Sequence, residues 1–410
     1  MKVRINRLVL GLALTGCATL AHAAGFALIE QNASGLGNAY AGQAASAQDA
    51  STIFFNPAGM TLLPDSQLVL AGSLIKPQAE FTGTVSPAIV GGGDGGDAGD
   101  LAFVPNAYFA YRVSPDIHVG VGLNAPFGLK TEYDSTWKGR TQAIKSELKT
   151  INLNPAIAWQ ASESLSLGAG LSIQYTEATL SNSANGAGIA TVSGDDYGWG
   201  FNLGLLWQPS DATRVGLAYR SEVDYALKGD VEFSVASVAN GPITADTTLP
   251  DSASLSLFHA LTPKWDLLAD VTWTGWSDFK ELRIVRNSGV TLGLTPENWS
   301  DSYRYSLGMN YHLNDKLTLR GGAAYDETPV SDSYRTARIP DEDRTWLAFG
   351  AQYRLSDKSV LDFGYAHLFM KDARINKTEF TNLPPVTPVT LSGTYESAVD
   401  ILSAQLTLNF

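Results

Sequence analysis

Ile401-Leu402-Ser403-Ala404-Gln405-Leu406-Thr407-Leu408-Asn409-Phe410 ends the chain on a strict alternation that stops at an aromatic residue. At the strand period of two, Leu402, Ala404, Leu406, Leu408 and Phe410 share one face, and Ser403, Gln405, Thr407 and Asn409 share the other. Two settings suit such a strand. One is a soluble sheet with its apolar face on a core; the other is a transmembrane barrel with its apolar face on lipid and a polar lumen.

The same alternation returns along the chain and favours the barrel. Leu165, Leu167, Ala169, Leu171, Ile173 and Tyr175 alternate with Ser166, Gly168, Gly170, Ser172 and Gln174. Trp199 to Trp207, Trp265 to Trp273 and Tyr303 to Tyr311 repeat the pattern, each segment with an aromatic residue at both ends, as at the two interfaces of a membrane. Asp266, Asp270, Arg304 and many glycines lie on the face that a soluble core would bury. A solvated lumen accommodates them.

Short polar turns, such as Ser114-Pro115-Asp116, Thr262-Pro263-Lys264 and Ser356-Asp357-Lys358, alternate with longer loops near 82 to 100, 129 to 142, 181 to 195, 235 to 250, 287 to 298, 328 to 341 and 379 to 392. The expectation is an all-β fold, a transmembrane antiparallel β-barrel of about fourteen strands over residues 67–410.

The N-terminus points to export. Lys2, Arg4 and Arg7 precede an apolar run from Leu8 to Leu20, and Ala21-His22-Ala23 offers a small-x-small cleavage site, so residues 1–23 read as a signal peptide. Leu14-Thr15-Gly16-Cys17 is a competing lipobox, with an acyl chain on Cys17. With cleavage after Ala23 the single cysteine leaves, and the mature chain has neither disulfide nor thiol chemistry.

Composition excludes other classes. Against 41 Asp and Glu stand 28 Lys and Arg, three of them in the leader, so nucleic acid is not an expected partner. Beyond the leader no run of eighteen apolar residues marks a spanning helix. The histidines are scattered without ligand spacing and no nucleophile elbow is present, so no catalytic residue, metal or cofactor is expected. The run Gly91-Gly92-Gly93-Asp94-Gly95-Gly96-Asp97 is one copy of a calcium-type glycine-aspartate repeat, or a flexible loop.

Residues 24–66 lack alternation and are rich in Ala, Gly and Ser. Ahead of a barrel too wide for side chains to fill, such a segment either folds inside as a plug or trails as a periplasmic tail. Ala24-Gly25-Phe26, Ser34-Gly35-Leu36-Gly37-Asn38-Ala39-Tyr40-Ala41-Gly42 and the motif Asn56, Pro57, Ala58 resemble the N-terminal hatch of the FadL family of outer-membrane long-chain fatty-acid transporters. Phe127-Gly128-Leu129, Tyr219-Arg220-Ser221-Glu222-Val223, Trp273-Thr274-Gly275-Trp276-Ser277, Tyr303-Arg304 and Ile339-Pro340-Asp341 extend the resemblance over essentially the whole mature chain.

The resemblance implies a fourteen-stranded barrel, a hatch at residues 24–66, loading of hydrophobic substrate from outside, and sideways exit through a gap in the wall. It also places Phe26 beside the binding pocket, where it competes with an acyl chain. Independently, the third strand runs into Asn124, Ala125, Pro126, Phe127 and Gly128, where proline and glycine break strand pairing, and Pro105 marks a defect in the second strand. Such a gap suits the cargo, because each CH₂ moving from water into lipid gains about 0.8 kcal/mol.

A carboxylate needs a donor in the lumen. Arg220, Arg304, Arg320 and Arg344 fall on the polar faces of their strands, although each can instead pair with a lumen acid such as Asp49. Two departures weaken fatty acid as the sole substrate. The 181 to 195 loop is short, and Thr179-Leu180-Ser181-Asn182 lacks an arginine. The functional expectation is therefore passive outer-membrane transport of hydrophobic compounds, chiefly long-chain fatty acids. Neutral hydrocarbons are the alternative, and a lipid-modifying enzyme or an open hydrophilic porin fits less well. Expected partners are the hydrophobic small molecule, outer-membrane lipid and, through the C-terminal strand, the barrel-assembly machinery.

Overall fold

The computed structural model describes residues 25–87, 91–184, 188–235, 239–380 and 387–410. The expected signal peptide and Cys17 lie outside the described residues.

The wall consists of fourteen antiparallel crossings, several of them broken into two segments. In chain order they are Ser66–Ser86, Ala102–Ser114, Ile117–Asn124 with Gly128–Glu132, Lys145–Ser162, Leu165–Ala184, Gly188–Ser210, Thr213–Arg220 with Val223–Phe233, Gly241–Leu249 with Ser252–Thr262, Trp265–Thr274 with Glu281–Arg286, Thr291–Pro296 with Ser302–His312, Leu317–Asp326, Arg344–Ser356, Ser359–Met370 with Ala373–Phe380, and Pro388–Asn409. The first and last strands pair continuously from Gln67 with Asn409 to Ser86 with Thr390, which closes the barrel and removes its free edges.

Burial along the wall is inverted relative to a soluble protein. In the last strand Leu402 is 56% exposed while Ser403 is 1% exposed. The apolar face points outward to lipid and the polar face points inward, as the C-terminal alternation requires.

Several stretches expected as long loops are strands that continue past the membrane. The fifth and sixth strands pair from Leu165 with Trp207 up to Ala184 with Gly188, through much of the 181 to 195 region, and Gly241–Leu249 occupies part of 235 to 250. Above the bilayer neither face meets lipid, so the hydrophobic alternation lapses although the backbone ladder persists.

The glycine-aspartate run is used structurally. Asp94 pairs with Lys138 at 2.7 Å, and Asp97 accepts from the Ala79 and Gly99 amides. Gly95, at φ +99°, lies against Tyr133 and Trp137, which stack at 4.0 Å in an outer aromatic cap. Among the described residues no three potential metal ligands cluster.

Residues 25 to 65 enter the lumen as a chain of short turns: helices Ala33–Leu36, Gln43–Ser46 and Thr52–Phe55, then the 3₁₀ turn Pro57–Leu62. Asn56 explains the compactness of this segment. Its side chain donates to Ala44 O at 2.6 Å and, across to the wall, to Leu205 O at 3.0 Å, while its Oδ1 accepts from the Ala58 amide. Lumen-face glycines make room for the plug. A Cβ on Gly168 would lie 2.2 Å from Ala58 N, and one on Gly216 1.9 Å from Ala44 O. Plug and wall are therefore in backbone contact.

Candidate binding site and wall opening

The second strand pairs with the third only from Ser114 up to Ala107, although it pairs with the first as far as Ala102. The third strand stops at Asn124 and resumes at Gly128 on the fourth strand alone, with Gly128 opposite Lys149. Ala102 to Asn106 thus have no register partner on that side among the described residues. Pro105, which has no amide N–H to offer, lies on this edge.

The freed backbone turns inward to the plug. Ala27 forms a bridge with Phe127, Leu28 N donates to Pro126 O at 2.8 Å, and Gly128 N donates to Phe26 O at 3.0 Å. Gln31 Nε2 donates to Ala125 O at 2.9 Å, and Thr150 Oγ1 donates to Phe127 O at 2.7 Å. Asn124 Oδ1 accepts from Asn152.

A cavity of about 870 Å³ runs through this region. Its inner lining includes Phe26 and Glu30, and its outer lining includes lipid-facing Phe103, Leu123 and Ile151. Phe26 sits in a box of rings, with centroids 4.7 Å from Trp276, 5.6 Å from Trp299, 6.0 Å from Phe279 and 6.2 Å from Phe127. Trp276 and Phe279 lie in the break of the ninth strand, and Trp299 lies in the break of the tenth. The wall's irregularities supply the box.

Behind Leu28 and Phe127 lies a second, smaller cavity of about 140 Å³. Tyr40, Phe54 and Phe55 of the plug form one side, and Ser252, Ser254, Thr272, Thr274 and Ser302 of the wall form the other. Arg220, Arg304 and Arg344 reach it, together with Asp270, already marked by the alternation as a lumen-face charge, and with Glu30 and Asp326, which were not among the expected site residues. Asp270 and Asp326 were readable as lumen-face acids, but Glu30 sits in a segment without periodicity.

The four arginines differ. Arg304 Nη2 donates to Ala39 O at 2.6 Å, and its guanidinium lies 5.0 Å from the Trp346 ring centre. Its Nε and Nη1 have no hydrogen-bond partner among the described residues. Arg220 donates to Ser172 Oγ and Phe54 O, and stands 4.2 Å over the Phe54 ring. Arg344 pairs with Asp341 at 2.7 Å and donates to Gly25 O. Arg320 is bound to Asp362 and Gln48 and lines neither cavity. Asp49 accepts from Ser34, Ser51 and Gln405 and serves none of the four. Asn56, Pro57 and Ala58 anchor the plug and touch neither cavity.

The segment 179 to 182 does have an arginine beside it, from another loop. Arg338 donates to Ser146 Oγ at 3.1 Å and to Lys145 O at 3.2 Å, and approaches Ser181 O. Burial lowers its affinity for a proton, with Glu379 and Glu297 opposing that effect.

The chain resembles known proteins over nearly its full length. It is 29% identical to the long-chain fatty acid transport protein of Escherichia coli, covering 92% of this chain and 94% of that one. Its fold superposes on a Pseudomonas aeruginosa FadL homologue with a TM-score of 0.88 at 26% identity, covering 94% of this chain and 100% of that one. It superposes on the P. putida toluene transporter TodX with a TM-score of 0.68 at 20% identity, covering 88% and 94%, a likeness of fold. The family model described as outer membrane protein transport protein (OMPP1/FadL/TodX) matches residues 14–410. This outer-membrane β-barrel is a member of the OMPP1/FadL/TodX family of transport proteins for hydrophobic compounds.

Proposed function

We propose that the chain carries amphiphilic hydrophobic molecules, with long-chain fatty acids as the principal class, from the cell exterior into the outer-membrane bilayer without energy input. The observation that supports this reading most directly is the cavity joining Phe26 to lipid-facing Phe103, Leu123 and Ile151. An acyl chain displaces Phe26 from its ring box, places its carboxylate near the free Nε and Nη1 of Arg304, and leaves tail-first where the third strand breaks at Asn124 to Gly128. Bilayer is the favourable destination, at about 0.8 kcal/mol per CH₂. The role is transport rather than catalysis. The plug, residues 24–66, blocks free passage of ions, and the C-terminal strand ending at Phe410 engages the barrel-assembly machinery.

The ring box favours a second reading. Phe26, Phe127, Trp276, Phe279 and Trp299 suit a neutral aromatic hydrocarbon, which needs no counter-charge. TodX, of the same fold, is a toluene transporter. Uptake of labelled oleate and of toluene by cells lacking their own transporter separates the two. Oleate uptake that Arg304→Gln abolishes supports carboxylate recognition; toluene uptake alone makes this a hydrocarbon channel.

A further inference from the structure

Glu30 occupies the boundary between the two cavities and lines both. It is 5% exposed, and its Oε2 has no hydrogen-bond partner among the described residues. The backbone around it is fixed, since Glu30 O accepts from Asn106 Nδ2 at 3.0 Å. The charged and titratable groups that face it are Arg304, Arg344 and Asp326 on the wall and Tyr40 on the plug. Arg344, which also lines both cavities, is paired with Asp341 but keeps its Nε without a hydrogen-bond partner among the described residues, and the Tyr40 hydroxyl donates to Asn32 O. On the lipid side the passage is lined by Leu70, Phe103, Leu123 and Ile151, and beside them by the ion pairs Lys130–Asp100 and Lys149–Glu147.

That arrangement poses a problem for a carboxylate cargo. Arg304 lines the inner cavity only; the cations on the exit cavity are already held, Lys130 by Asp100, Lys149 by Glu147 and Arg344 by Asp341, and at the wall break itself Phe103, Leu123 and Ile151 make an ionised carboxylate expensive. A group between the two must neutralise the head before it leaves.

We infer that Glu30 is the proton-transfer group of the passage, holding a proton that it shares with, and then gives to, the substrate carboxylate. This rests on the fatty-acid reading above. As the head leaves Arg304, the Oε2–H bond of Glu30 breaks and an O–H bond forms on the substrate, which exits as the neutral acid. Glu30 is left as an anion facing Arg304 and Arg344, and it takes its next proton from water.

The energetics agree in direction. Burial pushes the Glu30 carboxyl up to about 7, with Arg344 and Arg304 opposing and Asp326 reinforcing the rise. A substrate carboxylate beside it raises it further, because two carboxylates at one site do not both ionise. Moving the substrate to the apolar side chains at the wall break then raises the substrate's own affinity for a proton, so transfer runs from Glu30 to the cargo.

The test is binding of dodecanoate and of dodecanol to the purified full chain in nanodiscs, with empty nanodiscs as reference, from pH 6 to pH 9. The expected result is uptake of up to one proton per dodecanoate above pH 7. Affinity then falls by up to about tenfold per pH unit, while dodecanol affinity stays flat. Glu30→Gln abolishes the slope and keeps dodecanol affinity; Glu30→Asp, which retains a carboxyl should the amide variant fail to fold, keeps the slope. Dodecanoate binding without a slope in the wild type, or a slope that persists in Glu30→Gln, overturns the inference and leaves the fatty-acid reading standing. Dodecanol binding with no dodecanoate binding at any pH overturns the fatty-acid reading, and this inference with it.

Discussion

The amide of Leu28, in the plug, donates to the carbonyl of Pro126, in the wall, at 2.8 Å. The third strand has lost its neighbour at this point, and the plug supplies the missing backbone partner. One short segment, Phe26 to Leu28, therefore both fills the aromatic box and closes the inner edge of the break. Displacing Phe26 from the box should therefore also loosen the wall.

That coupling is testable with a disulfide. Ala27 and Phe127 are bridge partners, and the only other cysteine of the sequence is Cys17, so Ala27→Cys with Phe127→Cys in a Cys17→Ala background forms a single unambiguous staple. Oxidised protein should assemble normally and lose most oleate uptake, with recovery on reduction. Equal uptake in both redox states would rule out motion of this segment.

Arg304 and Arg320 should respond differently to the same change. Arg304→Gln removes unpaired donors facing the cavity, so dodecanoate affinity should fall at least about tenfold, with dodecanol affinity unchanged and the barrel stable. Arg320→Gln strands Asp362 inside the barrel and should cost about 3 kcal/mol in urea unfolding from lipid vesicles, with little effect on dodecanoate affinity.

Space for the plug depends on lumen glycines. Gly216→Val puts side-chain atoms into the Ala44 carbonyl, so the plug should shift and single-channel conductance should rise. Gly321→Val, on the lipid face where a Cβ meets nothing within 4 Å, is the control and should conduct like the wild type. Deleting residues 24–66 should give the upper limit of conductance; no increase on deletion would sink the blocking role of the plug.

The segment that carries Trp299 into the ring box should loosen as pH rises. Glu297, outside the spanning strands and 3% exposed, is pushed by burial up to about 7 from 4.5, although Lys377 and a hydrogen bond from Trp299 oppose this. Folding therefore favours the neutral acid. Its stabilisation is complete below about pH 4.5 and is lost as pH rises to about 7, a change of about 3 kcal/mol. Hydrogen exchange around Trp299 should quicken over that window, and Glu297→Gln should remove the dependence.

The wall was legible because lipid imposes a period of two on every spanning segment. Leu402 and Ser403 declare opposite faces from sequence alone. The outer strand extensions near 181 to 195 were not legible, because with no lipid on either side their composition resembles a loop. The break at Pro126 was visible as a backbone rule, but its partner, Leu28, was not; their pairing joins segments about a hundred residues apart. Arg338 reaches Ser146 from a distant loop in the same way.

The sequence by itself determined the compartment class, the barrel, the approximate number of crossings and the site of the strand break, because each follows from local hydrophobic period or backbone chemistry. Tertiary structure decided what the lumen arginines do. Arg304 and Arg320 occupy equivalent polar-face positions in the chain, and only the neighbours brought by barrel closure and by the plug leave Arg304 with Nε and Nη1 free at a cavity and bind Arg320 to Asp362 away from both cavities. It also placed Glu30, from a segment without periodicity, at the boundary between the inner cavity and the passage to the wall break. Burial and the choice of partner set the chemistry of an ionisable group, and both are properties of the closed barrel rather than of any one segment.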